Sequence, residues 1–375
     1  MDTPSPEPVR PGRAPGCPPG SRFPLVAGVR SRMVRTARLE QHVYEAGSPT
    51  DEPVVLVHGN ASSARFFEDL LASLPGYYVI APDMRGYGAS EAATVDATRG
   101  VRDFSDDVHA LVEVLGLRAF HLLGWSLGGN IAMQYCIDHP DRVRTLTLHA
   151  TGSPYGYGGT HGPQGTPNYA DFAGSGGGLI SPEVTARLVA RDFTANSPFT
   201  QRSALRQIIV KPTCTLDPVR EDTLVEQMLM IQVGERFYPG DAVPSANWPF
   251  TGPGVCGANN ALSPKYLDQA ELAQVWPQPP VLWIRGADDH LVSDAAHVDP
   301  ATLGQLGVIP GWPGIDVCPP QPMIAQIRAV LDSYRQHGGI YHEVVLDDCA
   351  HAPLLEHPDT FRRHFRQLLR EHAMR

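Results

Sequence analysis

The stretch His121-Leu122-Leu123-Gly124-Trp125-Ser126-Leu127-Gly128-Gly129-Asn130 reads as a short apolar strand, one peak residue at Ser126, and the first turn of a helix. Gly124 and Gly128 flank the serine at the spacing G-x-S-x-G. A strand that turns directly into a helix brings its last residues against the first helical turn. Only glycine leaves room two positions before and two after the peak. The peak residue is then held in a strained backbone conformation, with its hydroxyl raised above the carboxyl edge of a sheet. There the unpaired N–H groups and the dipole of the new helix favour developing negative charge. Taken alone, the five residues are equally a glycine-rich turn with an idle serine, so the flanking sequence decides.

Upstream, residues 33–36 and 39–44 alternate like a strand pair at a sheet edge. Val54-Val55-Leu56-Val57 is an unbroken apolar run ending in His58-Gly59-Asn60, as a strand buried on both faces requires. Residues 62–74 read as a helix, and Tyr78-Val79-Ile80-Ala81 as the next strand. Residues 104–115 place Val108, Leu111, Val112 and Leu115 on one helical face. Residues 127–139 form the helix after the serine, and residues 143–148 another apolar strand. This alternation predicts an α/β fold: a mostly parallel central sheet flanked by helices.

The rhythm breaks at residue 151. Glycine recurs through residues 152–178, and helical patterns follow at residues 182–193, 203–209 and 221–233. We read residues 151–276 as an inserted, mainly helical cap or lid whose glycine-rich start lets it bend. The core is expected to be residues 32–150 and 277–375. An unrelated second domain is the alternative. The sheet resumes at Val281-Leu282-Trp283-Ile284, a second irregular stretch covers residues 295–320, and residues 321–337 form a helix stopped by Gly338-Gly339. Residues 341–346 make the last strand and residues 360–372 a basic final helix. Residues 1–31, rich in Pro and Arg and without a signal-like apolar run, are expected to be a disordered tail.

Composition narrows the function classes. Apolar residues make up 42% of the 375-residue chain, enough for a large core, while 36 Gly and 36 Pro predict long, turn-rich connections. The net charge is −10, with no basic stripe, which argues against nucleic acid or an anionic membrane surface. No apolar run approaches the roughly 20 residues of a membrane span. The six cysteines lack metal-binding spacing, so free thiols in a cytoplasmic protein are expected. A bridge between Cys214 and Cys256, or one involving Cys318, is the alternative.

A serine hydroxyl needs a base, and the base needs an orienting acid. His351 follows the last strand in Asp347-Asp348-Cys349-Ala350-His351, and Asp289 follows the strand before it in Gly286-Ala287-Asp288-Asp289. Both positions fall at the carboxyl edge of the sheet, in the chain order Ser…Asp…His. Asp288 is the rival acid, and Asp289 is preferred from the G-x-x-D turn. After the 143–148 strand comes His149-Ala150-Thr151-Gly152, which offers no carboxylate.

Five motifs in this order, Gly124–Gly129, His58-Gly59-Asn60, Pro82–Ser90, Gly286–Asp289 and Ala350–Pro353, resemble the α/β-hydrolase fold family over residues 32–148 and 280–371. The resemblance implies that the backbone N–H groups of Asn60 and Leu127 hold the oxyanion. His58 reads as structural. Asp83, Arg85 and Gly86 read as a turn stabilised by an internal ion pair. Asn60 and Trp125 are also reminiscent of haloalkane dehalogenases, but there the nucleophile is an aspartate followed by the tryptophan. Here Trp125 precedes a serine, which cannot form the alkyl-ester intermediate. Trp125 and His149 are candidate substrate contacts.

The sequence thus implies a serine esterase or lactonase without metal or organic cofactor, acting on a medium-sized hydrophobic substrate. The expected apolar pocket draws on Phe172, Phe193, Phe199, Tyr238, Trp248 and Phe250. A C–C bond hydrolase, a cofactor-free perhydrolase or an acyltransferase would use the same triad.

Overall fold

The computed structural model describes residues 17–373. Eight strands make one sheet: β1 (Arg30–Arg35), β2 (Glu40–Ala46), β3 (Glu52–Val57), β4 (Tyr77–Pro82), β5 (Phe120–Trp125), β6 (Val143–His149), β7 (Val281–Gly286) and β8 (Tyr341–Leu346). Their order is β1-β2-β4-β3-β5-β6-β7-β8. The β1–β2 hairpin is antiparallel and β2 runs antiparallel to β4. The six strands from β4 to β8 are parallel. Parallel order places the carboxyl ends of β3, β5, β7 and β8 along one edge, where Asn60, Ser126, Asp289 and His351 follow.

The unbroken apolar runs reflect burial from two sides. Val54 and Leu56 join one core cluster, and Val55 and Val57 join the other. Successive strand residues point to opposite faces, so a covered strand has no polar side to show. On one face lie the helices α2 (Arg102–Val114), α3 (Leu127–Asp138) and α6 (Met323–Gln336). On the other lie α1 (Glu68–Ala72) and α7 (Pro358–Glu371). Phe361, Phe365 and Leu369 recur every fourth residue of α7 and are fully buried. Phe365→Ala would cost about 3–5 kcal/mol, the lost transfer energy plus a cavity. The helix read at residues 62–74 is shorter than expected. It opens with a tight turn over Ala64–Phe67 capped by Ser63, and α1 ends at Ala72.

Strands β6 and β7 are hydrogen-bonded neighbours, yet residues 150–280 separate them in sequence. This connection holds α4 (Pro182–Val189), α5 (Pro218–Met228) and several strand pairs of two or three residues. Leu188, Leu205, Leu224, Val225 and Met228 join the same cluster as α1 and α7, so the helices share the core of the sheet. A small separate cluster forms where Trp248 meets Ala301 and Cys318 of the second irregular stretch.

Two expectations change here. The glycines of residues 152–178 mark close packing of backbones more than bending. A side chain at Gly158 would lie 2.2 Å from the carbonyl oxygen of Gly174. The tail also differs. Residues 1–16 lie outside the described residues, but residues 17–29 are bound to the body. Arg22 pairs with Glu226 at 2.9 Å, and the N–H of Val26 donates to Glu68 at 2.7 Å. No helix among the described residues is long and apolar enough to cross a membrane.

Candidate active site

Ser126 sits between β5 and α3 at φ 55° and ψ −122°, a region that non-glycine residues rarely occupy. The glycine spacing has the steric cause expected of it. A Cβ on Gly124 would lie 2.0 Å from the carbonyl oxygen of Gly128, and one on Gly128 would lie 2.1 Å from that of Val57. The strain at Ser126 is held by its own backbone bonds. Its N–H donates to the carbonyl of His149 at 3.0 Å, and its carbonyl accepts from Gly129 at 2.8 Å. Ser126 remains partly exposed.

The loops after β7 and β8 bring Asp289 and His351 together. His351 Nδ1 lies 2.8 Å from Asp289 Oδ2, and both side chains are 3% exposed. The other Asp289 oxygen accepts the N–H groups of Leu291 at 2.8 Å and Val292 at 3.0 Å. Those bonds fix the carboxylate, to which an N–H at Nδ1 of His351 would donate. Asp288 faces away. Its side chain is 45% exposed and pairs with Lys211 at 2.6 Å. One position in the turn therefore separates a buried orienting carboxylate from a surface ion pair.

Asn60 ends the turn after β3, and Leu127 opens α3, where helix geometry leaves the first N–H groups without intrahelical partners. The Asn60 side chain is clamped. Its Oδ1 accepts from the Tyr87 hydroxyl at 2.6 Å and the Ala61 N–H at 3.0 Å, and its Nδ2 donates to Asn259 Oδ1 at 2.8 Å. His58 is buried beneath this turn. Its Nε2 accepts the N–H of Met84 at 3.0 Å, and its Nδ1 lies 2.8 Å from the carbonyl of Gly59. Burial pushes its pKa down to about 4 despite the opposing charge of Asp83. It is a neutral structural imidazole. Among the described residues no group of His, Cys, Asp and Glu is placed to hold a metal ion. Cys214 and Cys256 are free thiols.

A family model described as alpha/beta hydrolase fold matches residues 52–173. Over 108 residues the chain is 39% identical to a protein named as a carbamate hydrolase, RutD, of Variovorax paradoxus (strain S110), which covers 28% of this chain and 40% of that one. Over 125 residues it is 30% identical to a 2-hydroxy-6-oxo-6-phenylhexa-2,4-dienoate hydrolase of Comamonas testosteroni, covering 32% and 42%. The chain thus spans 40% and 42% of the length of these curated relatives. The structure of carboxylesterase CesB of Bacillus subtilis matches with a TM-score of 0.55 over 91% of each chain, at 14% identity, which speaks to the fold. The chain has the α/β-hydrolase fold, and its residues 52–173 match that family's model.

The two candidate substrate contacts both lie buried in this fold. Trp125 and His149 are 3% and 1% exposed. The Trp125 indole stacks on Phe66 at 5.1 Å and on His149 at 5.9 Å, and its N–H donates to the carbonyl of His351 at 2.9 Å. Trp125 therefore props the histidine loop from below. His149 packs on Phe361 at 4.7 Å, with neither ring nitrogen hydrogen-bonded among the described residues. Burial, then the nearby His351, hold its pKa well below the usual imidazole range.

The ion pair expected within the 83–86 turn does not form. Asp83 bonds to His42 Nδ1 at 2.8 Å, while Arg85 makes a two-pronged contact with Asp107 at 2.6 and 2.7 Å. Among the aromatics expected to line the pocket, Phe193 and Trp248 have other partners. Phe193 lies between the guanidinium groups of Arg22 and Arg202, each 4.7 Å away. The Trp248 indole donates to the carbonyl of Pro310, and Phe250 is 63% exposed. Three contacts at the site carry no sequence signature: Asn259 on Asn60, Lys211 on Asp288, and the Trp125 indole on His351.

Proposed function

We propose that the protein is a serine hydrolase that cleaves a carboxylic ester or lactone through an acyl-enzyme. The observation that carries this reading is the buried His351–Asp289 pair, at 2.8 Å, on the sheet edge that also raises partly exposed Ser126. Ser126 Oγ attacks the carbonyl carbon while its proton passes to His351 Nε2. The backbone N–H groups of Asn60 and Leu127 receive the oxyanion, each contributing about 3 kcal/mol. The C–O bond to the leaving alcohol breaks as the imidazolium returns the proton to it. Water then attacks the acyl-enzyme, giving its proton to His351, and the acid leaves with Ser126 restored. Asp289 holds the imidazole and stabilises its cation throughout.

A second reading, hydrolysis of a C–C bond next to a carbonyl, is favoured by the named activity of the Comamonas relative. Comparing p-nitrophenyl esters with 2-hydroxy-6-oxo-6-phenylhexa-2,4-dienoate separates the two. Ester turnover should dominate and should vanish in Ser126→Ala with circular dichroism unchanged. Turnover retained in Ser126→Ala would end the proposal.

A further inference from the structure

Lys211 stands in the β6–β7 connection, on the segment that follows a helical turn at Leu205–Ile209. Its ammonium lies 2.6 Å from Asp288 Oδ2 and 2.5 Å from Asp348 Oδ1. Asp288 precedes the acid Asp289, and Asp348 lies three residues before the base His351. The same residue also binds through its backbone: the Lys211 N–H donates to Glu356 Oε2 at 2.9 Å. The other Glu356 oxygen accepts the N–H of Ala350, next to His351, at 2.9 Å. The two loops already touch beneath this contact. Asp288 donates its N–H to the carbonyl of Cys349 at 2.9 Å, and a Cβ on Gly286 would lie 2.1 Å from the carbonyl oxygen of Ala350. Asp348 is held at φ 53°, a conformation that persists only where the surroundings impose it.

We propose that Lys211 is a positioning residue, an ionic latch by which the connection holds the acid loop and the base loop in register. The inference rests on the roles proposed for Asp289 and His351. A lysine suits the task because its ammonium is a compact charge with three donors, so two carboxylates can converge on one nitrogen. Its two partners raise its pKa, first through the Asp288 bond, so it stays charged throughout the working range. The Lys211 side chain is 23% exposed and water screens its charge, so the latch acts through register more than through gross stability. The groups recorded against His351 are Asp289, Trp125 and His149, with Cys349 and Glu356 close in sequence. Asp288, Asp348 and Lys211 form the charged layer behind them.

Lys211→Met and Lys211→Arg, made in the full chain, test the latch. Lys211→Met should lower kcat about three- to tenfold with KM nearly constant, because the imidazole loses register with the serine. It also leaves Asp288 and Asp348 unneutralised behind the imidazole. The acid limb of the kcat/KM profile should then move up by about half a pH unit and return at high salt. Lys211→Arg keeps the charge and should restore the acid limb, with kcat at least partly recovered. Should Lys211→Met fail to fold, the Asp288→Asn/Asp348→Asn pair unties the latch from its other end and should lower kcat in the same range. An active wild type whose kcat and acid limb are untouched by Lys211→Met, or by the double variant, overturns the latch alone. A wild type without ester turnover or serine labelling overturns the hydrolase reading instead.

Discussion

Along β5 every residue is buried, and both neighbouring strands pair with it. Along α4, in the connection between β6 and β7, Leu188 is the buried residue. The sheet is held by apolar side chains alternating between two covered faces. The connection shares part of that apolar core through Leu205, Leu224 and Val225, and adds single polar groups that reach between distant segments. Asn260 shows how. Its Nδ2 donates to the carbonyls of Asp241 at 2.7 Å and Cys256 at 2.6 Å, while its Oδ1 accepts from Gly177 at 2.8 Å. A buried amide with all its partners selects one arrangement, and losing a partner costs about 1–3 kcal/mol. The sheet edge thus presents Ser126, Asp289 and His351, the proposed reactive groups, while the connection touches the turns beside them through Asn259 and Lys211.

The largest effects should fall on the sheet side of this division. Asp289→Asn should reduce kcat by about three to four orders of magnitude, because the imidazole loses its tautomer. Asp288→Asn should stay within about threefold, as expected for one exposed ion pair. Steady-state kinetics of the two variants checks this, and the reverse ranking would move the acid to Asp288. Next in size is Trp125→Phe, which keeps the stack on Phe66 but removes the hydrogen bond to the His351 carbonyl. It should cost about tenfold in kcat with KM nearly constant.

On the connection side, Asn259→Ala frees Nδ2 of Asn60 and should lower kcat about fivefold at unchanged KM. An unchanged kcat would mean that Tyr87 and Ala61 hold the turn unaided, and that the connection at this point only covers it.

The smallest effect on catalysis should come with a clear effect on stability. His58, His121 and His149 are buried, and burial lowers their pKa values, to about 4 for His58 and His121. Between the ordinary value near 6.5 and these folded values, the unfolded chain binds more protons. Their contribution is therefore fully present above about pH 6.5 and is lost as the pH falls toward about 4. Urea unfolding should show a loss of about 1–2 kcal/mol per imidazole between neutral pH and pH 5. His149→Phe should flatten that slope, because it removes a ring whose nitrogens have no protein partner, and should change kcat by less than about threefold. An unchanged slope would mean that His149 is protonated in the fold.

How much of this was legible depends on the physics of each region. Val54, Val55, Leu56 and Val57 announce a doubly covered strand because burial on both faces acts on consecutive residues. Gly124 and Gly128 announce the turn at Ser126 because the steric demand lies within five residues. Asp289 and His351 are legible because parallel strands must end at one edge. Lys211 and Asn259 are not, since the contacts that make them matter join positions more than seventy residues apart, with no spacing to read. The packing of Trp125 and His149 was not legible for a related reason. A strand end beside a nucleophile tells where a backbone goes, while Phe66 and Phe361, from other elements, decide where the rings point. The glycines of residues 152–178 misled in the opposite sense, because the same residue serves a hinge and a backbone contact.

The central claim is that His351 and Asp289 make Ser126 nucleophilic. Peptide mapping by mass spectrometry after treatment with a fluorophosphonate tests it most directly. The account predicts one adduct, on Ser126, formed quickly in the wild type and slowed by orders of magnitude in His351→Ala and Asp289→Asn. An unlabelled Ser126, or labelling that does not depend on His351, would contradict it.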